Sequence, residues 1–114
     1  MAVENVVVVI NSNGMGVAEK TLSRKLVRTY LGVLDAGDIL PRAICLYAEG
    51  VKLVVKGSPV IEEFEALVAK GVDVLVCTTC LNHFGVMNEL AVGSAVGMKE
   101  IVEAQWGAAK VITL

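Results

Sequence analysis

A short run of β-branched residues near the amino end constrains the possible folds more than any other feature of this sequence. Residues 5–10 read Asn-Val-Val-Val-Val-Ile, and a turn-forming Asn-Ser-Asn-Gly cluster follows them directly. An apolar run of this length between turn signals is the pattern of a buried strand. The fold is therefore expected to begin with a strand that ends near Ile10.

The rest of the chain alternates between helix-like and strand-like patterns. Apolar residues recur at three- and four-residue steps over residues 17–34, which predicts an amphipathic helix. A second helix is predicted to have Ser58 as its N-cap and Pro59 as its first residue. We predict further strands at residues 43–47, 72–77, 90–92 and 111–114, a helical turn at 51–55, and helices at 59–70, 78–83 and 98–106. This alternation predicts an α/β fold with three α/β/α layers around a mainly parallel sheet of about five strands.

The composition bears on size and environment. The 114 residues suit one domain, which we expect to span residues 1–114. Hydrophobic residues make up 55% of the chain and the mean hydropathy is +0.69, which is high for a single domain. A membrane span needs roughly 18 consecutive apolar residues, and polar residues such as Asp73, Asn82 and Glu89 interrupt the apolar stretches. No membrane association is expected, and the surplus apolar content predicts strands buried on both faces and a homo-oligomer interface.

Charge and cysteine content narrow the class of protein. The net charge is −2 and the Lys and Arg residues are scattered, which disfavours nucleic-acid binding. The amino end shows neither a basic leader nor a small-residue cleavage site, so a cytoplasmic protein is expected. Three cysteines do not complete a disulfide framework, and in such a chain they favour thiol chemistry or metal binding.

Candidate sites follow from the sheet, because ligands of an open parallel sheet bind beyond the carboxyl ends of its strands. That rule selects four segments, which are residues 11–16, 49–50, 77–83 and 93–94. Only residues 77–83 carry an evident reactive group. Glu49 and Gly50 are candidate binding residues, although solvation explains the Glu49 carboxylate equally well.

The loop after the first strand has the residue types and the position to hold an anion at the start of the next helix. Its candidate binding residues are Asn11, Ser12, Asn13, Gly14 and Gly16. The phosphate signal is weak, because a dinucleotide fingerprint would have a third glycine where this chain has Glu19, and the lysine and hydroxyl pair of a P-loop is missing. A tight turn without a ligand is the favoured alternative.

The strongest chemical signal is the sequence Cys77-Thr78-Thr79-Cys80. Cys77 falls at a strand end and Cys80 in the first turn of a helix, where backbone N–H groups and the helix dipole favour the thiolate. Two cysteines three residues apart at a helix start also reach each other, so attack by one can be resolved by the other. The motif predicts sulfur transfer or redox exchange at Cys77 and Cys80, with Thr78 and Thr79 as candidate binding residues. The alternative is that both cysteines are ordinary buried hydrophobic residues.

The only histidine, His83, lies three residues after Cys80 and is a further candidate binding residue. It is placed to assist a thiol or to complete a metal site, although a lone surface histidine is the favoured alternative. Cys77, Cys80 and His83 provide three ligands, whereas structural zinc normally needs four. We therefore expect no metal site. The sulfur-transfer hypothesis also needs no organic cofactor, and none is expected. Cys45, in the middle of a predicted strand, is expected to be a core residue.

Three segments resemble a known family. Residues 8–16, 47–59 and 71–85 are similar to the carboxyl-terminal domain of YedF-type proteins, and the Val-Cys-x-Thr-Cys-Leu-x-x-Phe-Gly stretch is the most specific part of the likeness. The chain is thereby identified as a member of the DsrE-like family, of DsrE/DsrF/TusD type. Near the first helix it departs from the residues usual in the YedF-type branch, at positions 18–19 and 21–23.

The resemblance implies a compact DsrE/YchN-like α/β/α fold, assembly into homo- or hetero-oligomers, and a cysteine that carries persulfide sulfur between proteins. By position, Cys77 matches the sulfur-carrying cysteine, and Cys80 matches the resolving or auxiliary thiol of the YedF-like branch. YedF-type proteins normally begin with a TusA-like domain, for which we expect no counterpart within these 114 residues. A TusA-like sulfur-carrier protein is therefore an implied partner.

Three functions remain open on the sequence. The leading hypothesis is a sulfur or selenium relay protein that carries persulfide on Cys77, closer to a carrier than to a classical enzyme. The second is an oligomeric module that holds a small anion at residues 11–16, with passive cysteines. A thioredoxin-like reductase ranks last, because that fold has a cis-proline after its C-x-x-C motif, whereas Pro41 and Pro59 both precede Cys77.

Overall fold

The computed structural model describes residues 2–114 and contains one parallel sheet. Its strands lie in the order β4-β3-β2-β1-β5, and every neighbouring pair is parallel. The strands are β1 Glu4–Ile10, β2 Pro41–Leu46, β3 Asp73–Cys77, β4 Ser94–Val96 and β5 Lys110–Thr113. The predicted α/β fold with five strands is confirmed, and the sheet is wholly rather than mainly parallel.

Helices cover both faces of the sheet. They are α1 Lys20–Ala36, α2 Ile61–Ala69, α3 Thr78–His83 and α4 Met98–Trp106, with 3₁₀ helices at Ala48–Val54 and Met87–Glu89. The chain steps from β1 to β4 in one direction and returns from β4 to β5, so right-handed crossovers place α4 opposite α1 and α2. Accordingly, Val8 of β1 faces Tyr30 and Leu34 of α1, whereas Val9 faces Trp106 of α4.

The two central strands form the middle of the core. Val7, Val8, Val9 and Ile10 of β1 are at most 1% exposed, and Ile44 to Leu46 of β2 are fully buried. Strands covered on both faces read as unbroken apolar runs, which is how the sequence signals them. Each fully buried Val, Leu or Ile side chain stabilises the fold by about 1.5–3 kcal/mol relative to exposure. The core role predicted for Cys45 is also confirmed.

The start of α1 differs from the prediction. Residues 11–19 form a loop, and the helix begins at Lys20 rather than at residue 17. Gly14 has a φ of 151° and packs so closely on Ser23 that a Cβ would lie 2.5 Å from the Ser23 hydroxyl. Met15 N–H also donates to the Ser23 carbonyl, 2.9 Å away. The loop therefore folds back on the first turn of α1, and this delays the helix.

The start of α2 also differs. Val60 stands at the N-cap position and the helix begins at Ile61, so Ser58 and Pro59 are not its N-cap and first residue. The Ser58 hydroxyl accepts a hydrogen bond from Val60 N–H, 3.2 Å away, within a turn before the helix. Ser58 and Pro59 thus form the turn that their residue types favour, but this turn lies directly before the helix and not at its first residues.

The fourth strand was predicted at the wrong residues. It spans Ser94–Val96, whereas Leu90 makes an isolated antiparallel bridge with Val55. Gly93, with a φ of 89°, turns the chain closely against Val74 before the strand begins. Gly93 and Ser94 therefore lie at the amino end of β4, and their predicted place at the ligand-binding edge is wrong. The strand was predicted at the apolar run 90–92 because the short edge strand Ser94–Val96 has little apolar character of its own.

Elsewhere, predicted and observed bounds differ by at most three residues at either end. Among residues 2–114, none of the helices combines the length and the apolar character needed to cross a bilayer.

Candidate functional site

The two cysteines of the C-x-x-C motif are in contact. β3 ends at Cys77 and α3 begins at Thr78 without an intervening loop, so Cys77 is the N-cap residue of α3. Its Sγ accepts a hydrogen bond from Cys80 N–H at 3.4 Å and another from the Cys80 thiol at 3.0 Å. A sulfur atom in this position takes the place of the N-cap oxygen, where backbone donors stabilise negative charge. The predicted reach of one cysteine to the other is confirmed.

The surrounding contacts hold α3 in place. Leu81 is fully buried and anchors the helix in the core. The Thr78 hydroxyl donates to the Val96 carbonyl of β4, 2.8 Å away, which ties the helix start to the edge strand. Thr78 therefore positions the helix, whereas Thr79 is exposed to solvent. A helix of six residues is marginal alone, so these two contacts determine where Cys80 lies.

A third group at the sulfur atoms comes from the chain after β2. Ala48 N–H donates to Cys80 Sγ, 3.1 Å away, although the two residues are 32 positions apart. Ala48 has a φ of 51°, a left-handed conformation that costs a residue with a side chain about 1 kcal/mol or more. No sequence pattern indicated Ala48 itself, although the neighbouring Glu49 and Gly50 were predicted as binding residues at a strand end.

Gly50 makes this approach possible. It is buried against β1, where a Cβ would overlap the Ile10 carbonyl oxygen and lie 3.4 Å from Asn11 Cα. Tyr47 N–H donates to the same Ile10 carbonyl at 3.3 Å. The segment 47–50 is therefore held on the end of β1, and Gly50 acts through close packing. The Glu49 carboxylate pairs with Lys52 at 2.9 Å.

Exposure and charge distinguish the cysteines. Cys77 is 1% exposed, whereas Cys80 is partly exposed. Burial and the hydrogen bond to Cys77 raise the pKa of the Cys80 thiol, against the opposing effect of Ala48 N–H. Cys80 therefore keeps its proton near neutral pH and donates it to Cys77, so the thiolate predicted for Cys80 from its place at the helix start is wrong. Burial raises the pKa of Cys45 to about 11, against a smaller effect of Arg42, so Cys45 is an unreactive core thiol.

His83 lies at the exposed end of α3. Its ring meets Phe84 edge-on, with 5.2 Å between ring centroids, and Lys52 Nζ lies 4.4 Å from the centroid of Phe84. Across residues 2–114, no three His, Cys, Asp or Glu side chains come together as a metal site requires.

The predicted binding residues of the first loop are partly engaged in internal contacts. The Ser12 hydroxyl donates to the Gly14 carbonyl at 3.2 Å, and Gly14 is buried on Ser23. Asn11 is exposed beside Gly50, and Gly16 is exposed with a φ of 79°. Asn13 lines a separate groove, together with cationic side chains of α1. Ligand binding by this loop stays a prediction.

Comparisons of sequence and of structure both relate this chain to known proteins along nearly its whole length. A sequence profile of the DsrE/DsrF-like family matches residues 5–114. The YchN protein of E. coli superposes with a TM-score of 0.70 at 18% identity, and the match covers 99% of this chain and 100% of YchN. MTH1491, a protein of unknown function from Methanobacterium thermoautotrophicum, gives 0.68 at 22% identity and covers 96% and 97% of the two chains. No functionally curated protein matches the sequence. At these identities, the solved structures show a shared fold.

Proposed function

Because the chain belongs to the DsrE/DsrF-like family, we propose that it is a sulfur carrier that holds persulfide on Cys77 with the help of Cys80. One observation carries the proposal, which is the 3.0 Å contact between the two sulfur atoms at the start of α3. Two neighbouring thiols can pass a sulfur atom from one to the other by thiol exchange. The role is that of a carrier rather than of a classical enzyme, and selenium is chemically close enough to be an alternative cargo.

The difference in exposure indicates the order of transfer. The Cys80 thiolate attacks the terminal sulfur of a donor persulfide, the S–S bond of the donor breaks, and the donor leaves as a thiol. Cys77 then attacks that same sulfur on Cys80, its proton passes to the released Cys80 sulfur, and the persulfide rests on Cys77. Neither step needs an oxidant or a reductant, because the donor supplies the sulfur atom already in its oxidised form. Cys80 receives the sulfur because Cys77 is 1% exposed.

The intact mass of the protein after incubation with a low-molecular-weight persulfide tests this proposal. We expect the reduced protein to gain about 32 Da, the mass of one sulfur atom in a persulfide, and peptide mapping to place it on Cys77. Cys45 is an internal control that should remain unmodified, because it is fully buried. Absence of the adduct from both Cys77 and Cys80 would contradict the carrier role.

Two observations favour a second candidate, an oligomeric module with passive cysteines. Cys77 is almost wholly buried, and the pKa of the Cys80 thiol is raised by burial. Both are ordinary properties of cysteines that pack as small hydrophobic residues. In that case neither thiol would accept sulfur in the mass experiment, while the protein would assemble normally.

We further propose that the chain forms a homo-oligomer through α4 and exchanges sulfur with a TusA-like carrier protein in the cytoplasm. Met98, Val102 and Trp106 recur at four-residue steps on α4 and are exposed, and Trp106 is 86% exposed. An apolar stripe of this kind is typical of a protein interface. The three free cysteines are in keeping with a reducing compartment.

Changing Trp106→Glu should dissociate the oligomer, because a buried carboxylate without a partner opposes association. Light scattering after size-exclusion chromatography should then report the mass of a single chain. Lys99→Glu, which also alters charge on α4 but lies beside the stripe, should leave the mass unchanged. A wild-type protein that is monomeric at every concentration would overturn the proposal.

A further inference from the structure

A groove beside the paired cysteines carries an unusual concentration of positive charge. It has a volume of about 430 Å³, and we call it the basic groove, after the cationic side chains among its lining residues Lys20, Arg24, Lys52, Lys56, Ser58 and Phe84. Phe84 N–H donates to the Cys80 carbonyl at 3.1 Å, and Lys52 belongs to the same 3₁₀ helix as Ala48. The groove therefore shares two structural elements with the thiol site.

The cations come from two separate parts of the chain. Lys20 and Arg24 lie on successive turns of α1, while Lys52 and Lys56 come from the chain after β2. Glu89 is the one carboxylate that lines the groove in the described part of the chain, 2–114. The whole chain has a net charge of −2, so this is a local concentration of positive charge on an acidic protein. A concave surface focuses such a field and attracts anions.

Arg24 of the groove has a buried donor that the part of the protein described by the structure leaves unpaired. Its Nε is buried and has no hydrogen-bond partner within residues 2–114. Buried donors in folded proteins are nearly always paired, so an orphaned guanidinium nitrogen at a groove is unusual. Ser58 adds a hydroxyl, since its oxygen accepts from Val60 N–H and its proton remains for another acceptor. Lys52 is partly neutralised by Glu49, which leaves Lys20, Arg24 and Lys56 as the principal cations.

We infer that the basic groove binds a small polyanion of the phosphate class, with two or more negative charges. Guanidinium and ammonium groups with a nearby hydroxyl are the donors that phosphate oxygens take up. The volume lies within the range of small-molecule sites, and the concave shape favours a small ion over the flat surface of a protein. This inference does not depend on sulfur transfer. The anion would lie in the basic groove, to which the loop 11–16 contributes only Asn13.

Calorimetric titration of the full-length protein with inorganic pyrophosphate tests this inference. We expect saturable binding to one site, weaker binding of inorganic phosphate, and an affinity that falls as salt is added. Arg24→Gln should weaken pyrophosphate binding by about tenfold or more, because it removes a charged donor. Lys56→Gln, at an exposed position that folding tolerates, should weaken it as well and keeps the test valid if Arg24→Gln fails to fold.

Two controls make the outcome decisive. Lys99→Gln removes one positive charge from α4 on the opposite face of the sheet, and it should change the affinity by less than about twofold. Cys77→Ser should bind pyrophosphate like the wild type, which separates this inference from the sulfur-carrier proposal. No binding of pyrophosphate at millimolar concentration, or equal weakening by Lys99→Gln and Arg24→Gln, would overturn the inference.

Discussion

Replacing Cys80 by serine should slow the transfer of persulfide sulfur onto Cys77 by about tenfold or more. Cys77 is 1% exposed, so a donor cannot reach its sulfur directly in this structure, whereas Cys80 is partly exposed and its Sγ lies 3.0 Å from that of Cys77. A serine hydroxyl cannot hold the sulfur in transit. The measurement is the rate at which the mass increment of one sulfur atom appears in Cys80→Ser compared with the wild type.

The pH dependence of the same reaction provides a second readout. The reacting form of Cys80 is the thiolate, and burial together with the hydrogen bond to Cys77 raises the pKa of this thiol. At neutral pH most Cys80 is therefore protonated, and the loading rate of the wild type should increase as the pH rises toward that pKa. A rate that does not change with pH in this range would argue against Cys80 as the attacking thiol.

Two matched variants complete the design. Cys45→Ala removes a fully buried thiol away from the site and should leave the loading rate unchanged. In Cys77→Ser the sulfur should stop on Cys80, where peptide mapping will find it. If Cys80→Ser loads sulfur on Cys77 as fast as the wild type, the proposed order of transfer is wrong, although Cys77 would remain the carrier.

Gly50→Ala should destabilise the fold by about 3 kcal/mol, at the upper end of the usual cost of overpacking. A Cβ at this position would overlap the Ile10 carbonyl oxygen and lie 2.9 Å from the Ile10 carbonyl carbon. Both groups are backbone, so neither can move aside as a flexible side chain would. Because a small domain is stable by only about 5–15 kcal/mol, urea unfolding followed by circular dichroism should show a clearly lower midpoint.

Gly32→Ala is the matched control for this substitution. Gly32 lies within α1, where a Cβ would meet nothing within 4 Å. Alanine is favoured over glycine in a helix, so this variant should be more stable than the wild type by about 0.5–1 kcal/mol. A Gly50→Ala protein as stable as the wild type would show that the segment 47–50 is not tightly held on β1. It would also weaken the argument that this segment positions Ala48 on Cys80.

Local patterns predicted most of the fold. The bounds of α3 and α4 match the predictions, and β1 differs by one residue. Each of these elements has its signal within its own residues, either an unbroken apolar run or a helical period. The predictions were wrong where a neighbouring segment decides the outcome. α1 starts late because Gly14 packs on Ser23, and β4 lies at Ser94–Val96 rather than at residues 90–92 because its pairing with β3 defines this edge strand.

In the candidate site, too, contacts within one segment were predictable from the sequence, and a contact between distant segments was not. Cys77 and Cys80 lie in one strand-to-helix segment, so their mutual contact was predictable from their spacing. Ala48 was not predictable, because its hydrogen bond to Cys80 spans 32 positions and depends on the adjacency of β2 and β3. The closer likeness to the YedF-type branch stays a prediction from residues 8–16, 47–59 and 71–85.

The sequence by itself determined the buried strands, the helices that alternate with them, and a pair of cysteines at the start of α3. These features depend on interactions between residues close in the chain, which a periodic pattern records directly. Only the tertiary structure decided that Cys77 is buried, that Ala48 donates to Cys80, and that Arg24 and Lys56 line one groove. Those relations depend on the order of the strands and on close packing at Gly50, because the groups involved are far apart in the chain.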